Sequence, residues 1–170
     1  MINQIKDICE TNSISGIYLV GFASITDGYG EFISDKKYLY FEFGDYVIKI
    51  SKLDHINQLS KLRVIIVESV KYDCDFEDVV PCKSRIDEVI FKNPLVDNKV
   101  AKISCFNFEK NDSEFLCDAL HIKLCNGQDI FLDPGFLGIN IGGLDVKQVW
   151  EENQLDGYAP KEFCIEFNNK

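Results

Sequence analysis

The sequence predicts an α+β fold, an antiparallel β-rich single domain spanning residues 1–170 with a few short helices. Three observations carry that reading. Two segments alternate apolar and polar residues on either side of a turn, Tyr38 to Asp54 about Gly44-Asp45 and Leu120 to Asp133 about Asn126-Gly127. A last run, Glu162 to Phe167, places Phe163, Ile165 and Phe167 on one face. Helical periodicity occurs only in short stretches.

Taken in order, Ile2, Ile5, Ile8 and Cys9 share a helical face, so a short N-terminal helix is expected before the polar break Glu10 to Ser13. Gly16 to Ile25 is rich in β-branched and aromatic residues and reads as a strand closed by the turn Thr26 to Gly30. The first hairpin sets Leu39, Phe41 and Phe43 against Tyr38, Tyr40 and Glu42, and returns through Tyr46, Ile48 and Ile50. Leu53, Ile56 and Leu59 give a weak helix or loop pattern. Leu62 to Val70 reads as a strand apolar on both faces, suited to the middle of a sheet or to a place against a helix.

Tyr72 to Asp78 is the densest acidic stretch and reads as a loop ending at Val79-Val80-Pro81-Cys82. Ser84 to Phe91 supports two readings: Ser84 and Asp87 have the spacing of a capping box, whereas Val89-Ile90-Phe91 favours a strand. Val100 to Phe108 is an expected strand, followed by the charged turn Glu109 to Asp112. In the second hairpin Leu120, Ile122 and Leu124 alternate with Ala119, His121 and Lys123, and the return ends at Asp133-Pro134-Gly135. Phe136 to Ile141 suggests a short strand, Gly142-Gly143 a break, and Leu144 to Glu152 a helix with Asp145 as cap and Val146, Val149 and Trp150 on one side.

Composition narrows the function. A hydrophobic fraction of 46% with 13 Phe and only 4 Pro implies a packed core and excludes a low-complexity chain. The 28 acidic residues outnumber the 18 basic ones, giving a formal charge of -10, which repels phosphate backbones and anionic lipid and favours cationic partners. Lys36-Lys37 is the only adjacent basic pair, so no basic stripe accompanies the aromatics as a nucleic-acid groove requires, and Phe41, Phe43 and Phe131 are assigned to packing. Met1 to Ile8 has no apolar signal core, and no run approaches the roughly 18 apolar residues of a membrane span, so a cytoplasmic location with no membrane partner is expected. The cysteines Cys9, Cys74, Cys82, Cys105, Cys117, Cys125 and Cys164 are then expected to be reduced, and those in apolar runs, Cys105 and Cys164 among them, to be core.

Catalytic and cofactor patterns are weak. His55 falls in an expected surface turn, and His121 shares a strand face with Cys125, which makes a cysteine enzyme with His121 as base the alternative function. No Cys-x-x-Cys pair occurs; Cys74 to Cys82 and Cys117 to Cys125 are both eight residues apart. Asp73, Asp75, Glu77 and Asp78 lack the central glycine and terminal glutamate of a calcium loop. Gly138 to Gly143 lacks the lysine of a phosphate loop. No cofactor, no metal and no enzyme activity are therefore expected.

What these exclusions leave is an acidic surface for a basic protein. Asp73, Asp75, Glu77 and Asp78 would steer the encounter, with Tyr72 and Phe76 as aromatic anchors. The stretch Leu120 to Pro134, followed by Gly138-Ile139-Asn140-Ile141-Gly142-Gly143, resembles segments of small bacterial immunity proteins encoded beside polymorphic or contact-dependent toxins. That resemblance implies a cytoplasmic protein that binds and neutralises a cognate toxin domain, often a basic nuclease. An adaptor with a peptide-binding sheet edge is a further alternative.

Overall fold

A computed structural model describes residues 1–54, 59–72, 79–93, 95–110, 113–154 and 157–167. It has the expected α+β architecture, with two antiparallel sheets and short helices. The first helix, α1 (Ile2–Thr11), buries Ile5, Ile8 and Cys9, the face its periodicity indicates. It is followed by β1 (Gly16–Thr26), β2 (Tyr29–Phe43), β3 (Tyr46–Leu53), β4 (Lys61–Val67), β5 (Val80–Arg85) and the single turn α2 (Asp87–Ile90). Then come β6 (Val100–Phe106), β7 (Glu109–Lys110), β8 (Phe115–Cys117), β9 (Ala119–Leu124), β10 (Asp129–Gly135), β11 (Gly138–Gly142), α3 (Leu144–Glu152) and β12 (Glu162–Glu166).

One sheet has the order β5-β1-β2-β3-β4-β8-β7 and the other β11-β10-β9-β6-β12. Their inner faces supply one core, with Leu39, Phe41 and Ile50 from the first sheet meeting Ile103, Ile122 and Leu132 from the second, and α1 adding Ile5 and Ile8. Period-2 alternation sends every second residue inward, so both expected hairpins are realised in register: Phe41 faces Ile48, and Ile130 faces Ile122. Phe41, Phe43 and Phe131 are buried, as the sequence indicates.

The outer faces are covered differently. On the first sheet Val20, Tyr40 and Val47 are roofed by Val70 and Tyr72, with the Tyr40 hydroxyl donating to the Lys71 carbonyl at 2.5 Å. On the second, α3 lays Trp150 over Phe106 and Phe131, at ring separations of 5.1 and 5.5 Å. Among the described residues no helix is long and apolar enough to cross a membrane.

Several elements depart from expectation. The turn after β1 is only Asp27-Gly28, both at positive φ (53° and 81°), as a two-residue hairpin turn demands, so Thr26, Tyr29 and Gly30, expected in the turn, belong to the strands. Val80 to Arg85 is a strand despite Pro81, because β5 lies at a sheet edge where a missing N–H leaves no ladder bond unmade. Ser84 to Phe91 divides into strand and helical turn. Its capping box does not form, because Ser84 lies within β5 and Ile86 takes the N-cap position, while Asp87 accepts a fork from Arg85 at 2.5 and 2.9 Å.

The expected strand Val100 to Phe108 stops at Phe106, and part of the charged turn forms the two-residue β7. β10 passes through Pro134, which pairs with Ile139 on one side where the ladder to β9 has already ended at Leu132. Gly143, not Asp145, precedes α3; the Asp145 carboxylate accepts from the Gly143 N–H at 3.2 Å. Cys9, Cys105 and Cys117 are core, but Cys164 points outward from β12 and is exposed, because its neighbour Ile165 takes the inward position.

Candidate functional site

The β1–β2 hairpin divides in two at a break in register. Leu19 pairs with Leu39 but Gly21 pairs with Ser34, so Val20 faces an excursion of β2 from Asp35 to Tyr38. Gly21 is required there. A Cβ would lie 2.0 Å from the Ile33 carbonyl oxygen and 2.8 Å from the Ser34 Cα, so only glycine lets the strands approach. Beyond this point the hairpin forms an arm. Residues Tyr29 to Ser34 pair with β1 on one side and, among the described residues, with no strand on the other.

The arm carries apolar side chains into solvent: Ile25 is 75% exposed, Tyr29 81%, Phe32 38% and Ile33 40%. Register puts Phe32 and Ile25 on one face and Ile33 and Tyr29 on the other. Between Gly21 and Asp35 the sequence contains Asp27, Glu31 and Asp35 and no Lys or Arg. The arm is thus apolar and anionic.

Of the residues expected to meet a partner, only Tyr72 is among those described. Asp73, Asp75, Phe76, Glu77 and Asp78 fall outside the described residues, as does His55. Their flanks lie against the hairpin: Val80 pairs with Ala23 at the root of the arm. Tyr72 is half-buried, its ring meeting Tyr38 edge-on at 6.3 Å and its hydroxyl donating to Asp35 at 3.3 Å. Sequence reasoning missed Ile25, Tyr29, Phe32 and Ile33. The absence of any cation across Gly21 to Asp35 was the available signal.

At the foot of the arm a cleft of about 640 Å³ opens between the hairpin, β11 and α3. Its apolar wall is Leu19, Ile139, Ile141, Val146, Val149 and Trp150, and its polar groups are Lys36, Asp133, Asn140, Asp145 and Asn153. Two glycines shape it. Gly138, at φ +150°, lies against the Lys36 backbone, where a Cβ would come within 2.5 Å of the Lys36 carbonyl oxygen. A side chain at Gly135 would meet the Asn140 amide at 2.4 Å. Asn140 is thereby free to donate from Nδ2 to Asp133 Oδ2 at 3.0 Å, across paired positions of β10 and β11. Burial raises the Asp133 pKa above the ordinary carboxylate value, and the Asn140 hydrogen bond offsets this only in part.

The cysteine-enzyme alternative can be placed on the outer face of the second sheet. Cys164, Ser104 and His121 sit in register on three successive strands, and His121 Nε2 meets Asp129 Oδ1 at 2.8 Å. Ser104 stands between the thiol and the imidazole, and two strand spacings amount to about 10 Å. The Cys164 thiol donates to Glu162 at 3.3 Å and lies 3.7 Å from the Ser104 hydroxyl. Hydrogen bonds from Ser104 and Cys164, with the Lys102 ammonium nearby, lower the Glu162 pKa to about 2. The row therefore serves a carboxylate and does not join the thiol to the imidazole. Cys125 lies just past the end of β9 and is exposed. Among the described residues no three His, Cys, Asp or Glu side chains are grouped to hold a metal.

Comparisons with protein-family models, with curated proteins and with solved structures find no match for this chain.

Proposed function

We propose that this protein is a stoichiometric inhibitor of the immunity type, which works in the cytoplasm by binding a basic toxin domain through the β1–β2 arm, without catalysing a reaction. The observation that carries the reading is the arm itself: exposed Ile25, Tyr29, Phe32 and Ile33 interleaved with Asp27 and Glu31, in a segment free of cations. Charge brings the partner in, and apolar burial holds it. Long-range attraction raises the association rate, while aromatic anchors that become dry in the interface dominate the dissociation rate. The acidic residues Asp73, Asp75, Glu77 and Asp78 add to the negative charge that favours such a partner. A nuclease domain, whose substrate requires a cationic surface, suits such an inhibitor.

The test pairs the chain with the product of the gene encoded beside its own. Calorimetry should give one-to-one binding, and the double variant Tyr29→Ser with Phe32→Ser should weaken it by about three orders of magnitude, since interface aromatics cost about 2 kcal/mol or more each when truncated. Unaltered affinity in that variant, or no complex at all, would refute the assignment. A second reading is an adaptor that adds a peptide strand along Tyr29 to Ser34, favoured by the open edge there. It requires affinity for extended peptides, which an inhibitor of a folded domain need not have.

A further inference from the structure

We propose that the cleft at the foot of the arm is a binding site for an organic cation, an ammonium or guanidinium on an apolar stem, whose charge is taken by the Asp133 carboxylate. Asp133 is only 9% exposed, yet it lines the cleft. Its Oδ2 is held by Asn140, and among the described residues no hydrogen-bond donor or cation engages Oδ1. A desolvated carboxylate with an open oxygen is costly in the empty site, and a ligand that brings a positive charge offsets that cost. The raised Asp133 pKa agrees with a carboxylate awaiting a counter-ion.

The remaining lining selects the rest of the ligand. Ile139, Ile141, Val149 and Trp150 offer apolar contact to a stem. The other ionisable groups of the lining are Asp145, exposed beside the N-terminal turn of α3, and Lys36, exposed with its backbone pinned beneath Gly138. Two carboxylates against one ammonium leave the site net negative. The volume of about 640 Å³ lies within the range of sites that enclose a small organic molecule. The same chemistry is offered by a free aryl-alkyl amine and by the arginine or lysine side chain of a polypeptide.

Trp150 is the only tryptophan in the chain, so its fluorescence reports on the cleft directly. The probes are phenethylammonium for a free amine, N-acetyl-arginine methylamide for a protein side chain, and phenylethanol as the neutral isostere, each titrated by fluorescence and calorimetry. At least one cation should bind about tenfold or more tightly than phenylethanol, and Asp133→Asn should erase that preference. Tighter binding of the arginine derivative assigns the site to a polypeptide side chain, and tighter binding of phenethylammonium to a small molecule. Val149→Phe, a change at a half-exposed wall position away from the carboxylate, should close the cleft to both cations without lowering the melting temperature. The proposal is overturned if neither cation binds, if phenylethanol binds equally well, or if a folded Asp133→Asn or Val149→Phe variant binds the cation as the parent does.

Discussion

Replacing Gly21 by alanine should release the arm while leaving the two-sheet core intact. The new methyl would sit 2.0 Å from the Ile33 carbonyl oxygen and 2.8 Å from the Ser34 Cα. Both obstacles are backbone, so no side-chain rotation relieves them and the strands must part. Forcing a methyl into packed space costs about 1–3 kcal/mol. Opening of the arm removes the clash, so the same amount is subtracted from the free energy that keeps Phe22 to Ser34 paired. At about 1.4 kcal/mol per factor of ten, the open population rises by about 5- to 150-fold. Hydrogen exchange read by mass spectrometry measures this directly: peptides covering Phe22 to Ser34 should exchange faster by that factor, while Phe41, Ile50 and Ile122 keep their protection. Unchanged exchange in the arm, or equal acceleration throughout the core, would refute the view that Gly21 is the hinge point of a separately paired arm.

Three further outcomes follow from packing and ionisation. Because the Asp133 pKa is raised in the folded chain, its protonated form favours folding below the unfolded value of about 3.8 and that contribution is lost as pH rises through the folded pKa; Asp133→Asn should therefore gain melting temperature over the parent at neutral pH and lose the advantage near pH 4, as a pH series of thermal melts would show. Phe131, fully buried beneath Trp150 and Phe106, should cost about 3–5 kcal/mol when truncated to alanine in urea titrations. Timed alkylation should modify the exposed Cys125 and Cys164 first. Cys9, its thiol pushed up to about 12 by burial and by Glu10, and Cys117, raised by its hydrogen bond with Cys105 and by burial, should react only on unfolding.

The elements legible in the sequence are those whose alternation is enforced by a buried face. Leu39, Phe41 and Phe43 had to share a side, and so did Leu120, Ile122 and Leu124, because a one-residue slip would expose the whole set. Tyr29 to Ser34 lacked that signature, since neither face of the arm is buried and Gly30 interrupts it. Pro81 concealed β5, whose edge position tolerates it, and Phe115 to Cys117 was too short to show a period. The cleft was illegible for another reason. Lys36, Asp133 and Trp150 are far apart in the chain and meet only because Gly138 packs on the β2 excursion and α3 folds over β10. The alternation of His121 with Leu120 and Ile122 is visible in the sequence, but its partner Asp129, from the far side of the Asn126-Gly127 turn, emerges only once the hairpin register is known.

The role proposed for the arm is to meet a basic partner. Stopped-flow association of the chain with the adjacent gene's product, at low and at moderate salt, tests it most directly. For the parent, association should slow markedly as salt rises. Asp27→Asn with Glu31→Gln should reduce both the low-salt rate and its salt dependence, with a smaller change in dissociation. Equal association rates for parent and variant at low salt would contradict that role.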